Sequence, residues 1–90
     1  MFELGQVVCT TNFKNTVGVD RFAAVASRML GLHSGGDWGD VSTEDKKSND
    51  EAVKTGERIL SAYHTEDNIK VWVLTERDRS VTTILLPEDY

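Results

Sequence analysis

Apolar residues along this chain follow two different spacings, and the change falls past its middle. Phe22, Val25, Ala26, Met29 and Leu30 recur at i, i+3, i+4, i+7 and i+8, the stripe of an amphipathic helix. Asp20 near its start and Arg28 near its end complement the helix dipole. Gly31 or the Gly35-Gly36 pair ends it. From Arg58 the period shortens to two. Arg58–His64, Ile69–Thr75 and Ser80–Leu86 are runs of strand length. The polar links Thr65–Asn68 and Glu76–Arg79 have the length of hairpin connections. In the middle run Ile69, Val71 and Val73 alternate with Lys70, Trp72 and Leu74. In the third, Thr82, Ile84 and Leu86 alternate with Val81, Thr83 and Leu85, and Pro87 stops the strand.

The remaining segments are less patterned. Gln6–Thr10 is a short β-favouring run after Gly5 and predicts an N-terminal strand. Thr11–Gly18 is polar and mixed, which predicts a loop. Gly35–Asp40 is too rich in glycine for helix or strand and predicts a turn. Ser42 stands three residues before Asp45, a weak capping box, so Thr43–Lys54 predicts a short surface helix that docks through Trp38 and Val53 and closes at Gly56. The expectation is one α+β domain over residues 1–90. A three- to four-stranded antiparallel sheet, the C-terminal β-meander included, packs on one main amphipathic helix and a short second one. Both faces of the meander are partly apolar, so one is covered by helix and the other is open for contact.

Composition narrows the function classes. The chain has 90 residues, 39% of them hydrophobic, which is enough for one core and too apolar for a disordered segment. Its longest apolar run, Phe22–Ala26, is far too short to span a bilayer, and Met1–Gly5 has no signal-peptide pattern. The single cysteine, Cys9, has no internal partner; these features fit a reducing cytoplasm and no membrane association. Charge is unevenly placed. Residues 1–36 carry Lys14, Arg21 and Arg28 against Glu3 and Asp20, a net of +1, whereas residues 37–90 carry seven basic and thirteen acidic residues, a net of −6. Such a surface argues against direct nucleic-acid binding and suits a basic protein partner, although the same acidity also serves solubility.

Candidate chemistry is sparse. Cys9 with His33 or His64 would make a nucleophile pair only if the fold brings them together; a small thiol inside a strand is more often core filler. His33, Asp37 and Asp40 offer a nitrogen and two carboxylates for a divalent metal, without the spacing of any metal motif. Ser80 has no neighbouring base, and Glu76-Arg77-Asp78-Arg79 is an alternating-charge hairpin tip. Gly35-Gly36 lacks a phosphate-loop pattern and is followed by Asp37, which repels anions. No cofactor is expected. Among the aromatics, Trp38 lies between Asp37 and Asp40, Trp72 shares a strand with Lys70, and Tyr63 and Tyr90 lie near element ends. Tryptophan with a charged rim is the composition of an interface hot spot, and equally of a plug at the end of a core.

A longer pattern is also present: Phe2–Val8, Gly36-Asp37-Trp38-Gly39-Asp40, Glu44-Asp45-Lys46-Lys47, Asn49-Asp50, Ile59–Tyr63, Lys70–Glu76, Asp78–Thr83 and Leu86-Pro87. It resembles a family of short proteins carried on plasmids, prophages and integrated elements, commonly labelled plasmid-related or, by transfer, as a restriction-system subunit. A DNA methyltransferase needs a cofactor-binding domain well beyond this length, so the second label does not fit. The resemblance implies a small acidic, non-enzymatic inhibitor that blocks a CRISPR effector or restriction enzyme by occupying its basic nucleic-acid-binding surface. The expected contacts are Asp37, Trp38, Asp40, Glu44 and Asp45, with Glu76 and Asp78 on the hairpin tip. The alternatives are a homodimeric structural or regulatory module in plasmid or phage maintenance, and a metal-dependent enzyme.

Overall fold

Six of the expected elements form close to their predicted bounds. The structure, a computed structural model, describes residues 2–90. In chain order it contains β1 (Gln6–Cys9), α1 (Thr11–Val17), α2 (Phe22–Ser34), α3 (Thr43–Thr55), β2 (Ile59–His64), β3 (Lys70–Thr75) and β4 (Val81–Leu85), followed by a 3₁₀ turn at Pro87–Asp89. The chain is an α+β domain in which three helices pack on one four-stranded sheet of order β1-β4-β3-β2.

Two expectations are corrected. The sheet is mixed: β2–β3 and β3–β4 form the antiparallel meander, but β1 lies parallel to β4, with Val7 beside Thr82 and Cys9 beside Ile84. Side-chain alternation reports which face a residue takes and carries no information on strand direction. The stretch expected as a loop, Thr11–Gly18, contains helix α1. Thr10 caps it by accepting the Phe13 N–H at 3.1 Å, and Gly18, at φ 115°, ends it. Its two apolar residues, Phe13 and Val17, are i and i+4 and both are buried. A seven-residue helix is unstable alone and forms here because that pair docks into the core.

The main helix begins at Phe22, so Asp20 stands in the preceding turn and α2 has no acidic residue in its first turn. Its predicted stripe faces the sheet: Met29 is fully buried, with Phe22, Val25, Ala26 and Leu30 packed around it. They meet Val71, Val73, Ile84 and Tyr63 from the sheet and Phe13 and Val17 from α1. Helix α3 is capped as expected. Ser42 accepts the Asp45 N–H at 3.1 Å, and Gly56, left-handed at φ 83°, closes it. A second cluster of Trp38, Ala52 and Ile59, with Phe2, Val41 and Val53, fixes α3 beside β2.

All three helices lie on one face of the sheet. The opposite face, which includes Leu60, Ala62, Trp72, Leu74, Thr83 and Leu85, carries no helix. There the C-terminal segment turns back, setting the Tyr90 ring edge-on to Trp72 at 5.7 Å, with the Arg58 guanidinium 5.5 Å from Tyr90. Arg21 donates to Asp67 at 2.6 Å, tying the α1–α2 turn to the β2–β3 turn and holding the Asp67 carboxyl down at about 2.

Candidate functional site

The loop before α3 is built around Trp38. Its ring is 3% exposed, and its Nε1–H donates to Asp50 on α3 at 2.9 Å. The ring stands edge-on to His33 at 5.8 Å and beside Phe2 at 6.0 Å. Trp38 is therefore core and, contrary to the expectation of a contact residue, offers no surface: it anchors the loop from below. Gly39 follows at φ 72°, and a Cβ there would collide with the Ala62 carbonyl, so this close approach requires glycine. The backbone then pairs with the outer edge of β2. Ala62 N–H donates to Trp38 O at 3.1 Å and Asp40 N–H to Ala62 O at 2.7 Å.

This anchoring places Asp37, Asp40, Glu44 and Asp45 on the surface, all four exposed. No basic residue occurs from Gly36 to Asp45. Asp37 Oδ1 accepts the Gly39 N–H at 3.1 Å, and its carbonyl accepts the Tyr63 hydroxyl at 2.6 Å. Burial raises the Tyr63 phenol to about 12. Asp40 meets His64 Nδ1 at 2.5 Å. Glu44 and Asp45 occupy the first turn of α3, where carboxylates suit the positive end of the helix dipole.

Glu76 and Asp78 do not join this group. They sit at the β3–β4 turn, where Asp78 accepts both the Ser80 N–H (3.1 Å) and the Ser80 hydroxyl (2.6 Å), which holds its carboxyl below the usual range. Arg79 on the same turn donates to the carbonyls of Ala52 (2.8 Å) and Glu57 (2.7 Å), so the tip clasps the end of α3. Arg77 forms an ion pair with Glu57 at 2.7 Å. Two open grooves flank this region. One of about 440 Å³ lies between Lys47, Glu51 and Thr55 of α3 and Glu57-Arg58; one of about 230 Å³ is lined by Glu57, Arg58, Glu76 and Arg77. Both have mixed charge, and neither touches Asp37, Asp40, Glu44 or Asp45.

The histidines and the cysteine are kept apart. Cys9, expected as buried filler, is exposed on the edge strand β1. His33 is fully buried and binds Ser61 (2.5 Å) and Thr75 (2.8 Å), while His64 lies on β2 at the opposite edge of the sheet. His33, Asp37 and Asp40 do not converge, and among the described residues no group of three or more His, Cys, Asp or Glu is placed to hold a metal ion.

His33 belongs to a polar string that the sequence pattern did not reveal. Thr82 donates its hydroxyl to the Leu4 carbonyl at 2.7 Å and meets the Thr75 hydroxyl at 2.8 Å. With the Thr82 proton committed to Leu4, Thr75 must donate to Thr82. Thr75 then accepts from His33 Nε2–H, and His33 Nδ1 accepts from Ser61. These directions are those of the Nε2–H tautomer of a neutral imidazole, the form that burial favours. Burial first, and then the nearby Arg79 charge, lowers its pKa to about 4. A Ser–His pair at this distance invites a catalytic interpretation, but Ser61, Thr75, Thr82 and His33 are all fully buried, and no substrate reaches them. The signal was available: Ser61, Thr75 and Thr82 occupy core-facing positions of otherwise apolar strands, and His33 is four residues past Met29 on the buried stripe. No family model, curated protein or solved structure matches the chain.

Proposed function

We propose that this is a non-catalytic, cytoplasmic binding protein that presents Asp37, Asp40, Glu44 and Asp45 to a basic surface of a protein partner. One observation carries the proposal. Four exposed carboxylates, on a segment that carries no Lys or Arg, are held on a loop and first helical turn that Trp38 anchors to the core. Pre-ordered charge of this kind favours fast, salt-sensitive association with a complementary surface and loses little entropy on binding. The mobile-element resemblance supports a nucleic-acid-binding defence complex, CRISPR effector or restriction enzyme, as the partner class. Glu76 and Asp78 are left out of the contact surface, because Asp78 is engaged in its own turn and both lie apart from the other four.

The test is a plaque or plasmid-interference assay against such systems, followed by direct binding to the effector that is inhibited. Asp37→Asn, Asp40→Asn, Glu44→Gln and Asp45→Asn together remove the charge while keeping amide oxygens for the Gly39 and His64 contacts. Affinity falls about ten-fold or more at moderate salt. Unchanged inhibition by the fourfold variant would overturn the proposal.

A further inference from the structure

The sheet has two edges, and only one is closed. On β2 the outward groups of Leu60 and Ala62 are paired: those of Ala62 by the Trp38–Asp40 backbone, those of Leu60 by the Asn49 side chain, whose Nδ2 donates to Leu60 O at 2.9 Å and whose Oδ1 accepts Leu60 N–H at 3.4 Å. On β1 all four residues are exposed. The bonds Gln6 N–H to Ser80 O and Thr10 N–H to Ile84 O fix which residues face β4. Alternate residues of a parallel ladder face the neighbour, so Gln6, Val8 and Thr10 bond inward, and Val7 and Cys9 turn their N–H and C=O groups outward. Val7 is 43% exposed and Val8 38%, two of the four large hydrophobic side chains left exposed among the described residues. β1 has no charge, proline or bulge, the usual protections of an open edge.

We propose that β1 pairs antiparallel with β1 of a second copy about a two-fold axis at Val8, making one eight-stranded sheet. The outward groups are self-complementary under that axis. Val7 exchanges both backbone hydrogen bonds with the partner's Cys9, Cys9 does the same with the partner's Val7, and the two Val8 side chains meet across the axis. Charge permits this occupant at β1 and nowhere near the acidic loop. The protein carries a net −5, so two copies repel in general, but Gln6–Cys9 is neutral. The acidic loop and α3 lie at the opposite edge, three strand spacings or about 14 Å away. In the dimer the two acidic surfaces stand at the far ends of the joined sheet, beyond a screening length of roughly 8 Å at physiological salt. The pairing is independent of what the carboxylates bind, and it leaves them free.

The geometry makes cross-linking discriminating. Facing Val8 positions form a non-hydrogen-bonded pair with Cα atoms about 4.5 Å apart, within disulfide range. The two native Cys9 side chains are diagonal neighbours about 7–8 Å apart, too far for a direct bond. Val8→Cys in a Cys9→Ser background, oxidised with diamide, is expected to give a disulfide dimer as the major species. Val19→Cys in the same background, more exposed at 69%, remains mostly monomeric. Light scattering of the unmodified protein is expected to show a two-fold rise in mass with concentration. Val7→Pro, which deletes an outward donor and no bond to β4, abolishes the rise while the far-ultraviolet circular dichroism is kept. A protein that stays monomeric at high concentration, or equal cross-linking at positions 8 and 19, would overturn the proposal.

Discussion

The two edges of one sheet show opposite solutions to the same problem. At β2 the chain spends a whole loop and a buried amide on closure: Trp38, Gly39 and Asp40 run beside Ala62, and Asn49 reaches from α3 to both polar groups of Leu60. At β1 the strand leaves directly into α1, whose Phe13 and Val17 dip into the core on the helical face and cover nothing of the outer edge. The closed edge lies next to the acidic loop and the bare edge is neutral. Closure therefore orders the charged surface, and the lack of closure leaves a backbone template. The closing loop is the segment that carries Asp37 and Asp40.

That contrast can be broken most severely at Trp38. Trp38→Ala removes the ring that holds the 38–41 segment against β2 and opens a cavity beside His33 and Phe2, so a loss of about 3–5 kcal/mol is expected in urea unfolding. A cost below about 1 kcal/mol would mean that backbone pairing alone holds the loop. Next is pH. The buried polar string runs from Ser61 on β2 to the Leu4 carbonyl just before β1, linking the two edges through His33. An unfolded histidine takes a proton near pH 6.5, whereas the folded His33 does so only near 4. Between those values the unfolded state binds the extra proton, so stability is full above that window and falls as the pH is lowered through it, by up to about 3 kcal/mol. In His33→Gln that component of the pH slope disappears, whatever the variant's absolute stability; an unchanged slope would assign the loss to other groups. The smallest effect compares the edges directly. Asn49→Ala orphans both Leu60 groups and costs about 1–3 kcal/mol, whereas Val7→Pro removes an outward donor already in water and changes monomer stability by less than about 0.5 kcal/mol. Equal costs would show that the two edges do not differ in the way described.

Much of this architecture was legible in the residues, and the gaps have physical causes. The α2 stripe, the Ser42 and Gly56 caps and the C-terminal meander are local signals, set by periods of 3.6 and 2 and by capping chemistry. The parallel placement of β1 is not local, because it depends on where the chain returns after three helices. Helix α1 was hidden because two apolar residues among seven make no visible stripe, and tertiary docking decides such a segment. For the candidate site, Asp37 and Asp40 on the loop and Glu44 and Asp45 in the first turn of α3 are all exposed, while Trp38 turns inward. A tryptophan between aspartates reads alike whether the ring points out or whether the acids flank a buried ring, and its Nε1–H partner, Asp50, lies a full loop and two helical turns away. Asn49 gave no sequence signal, being one polar residue in a polar helix.

The directional polar string has a consequence for the uniqueness of the fold. Strands β3 and β4 carry apolar residues on both faces, so hydrophobic matching alone penalises a one-residue slip only weakly. The hydroxyls of Thr75 and Thr82 meet each other, His33 and Leu4 only when Thr75 stands opposite Thr82 and beside Ile59. Shift β3 by one residue and Leu74 faces the imidazole, leaving buried donors and acceptors without partners. The string thus acts as a key cut across the sheet, adding little to affinity between strands while rejecting every alignment but one. Its four side chains would then be expected to change together in any redesign, since an isosteric Thr75→Val alone breaks the chain of donors at its centre.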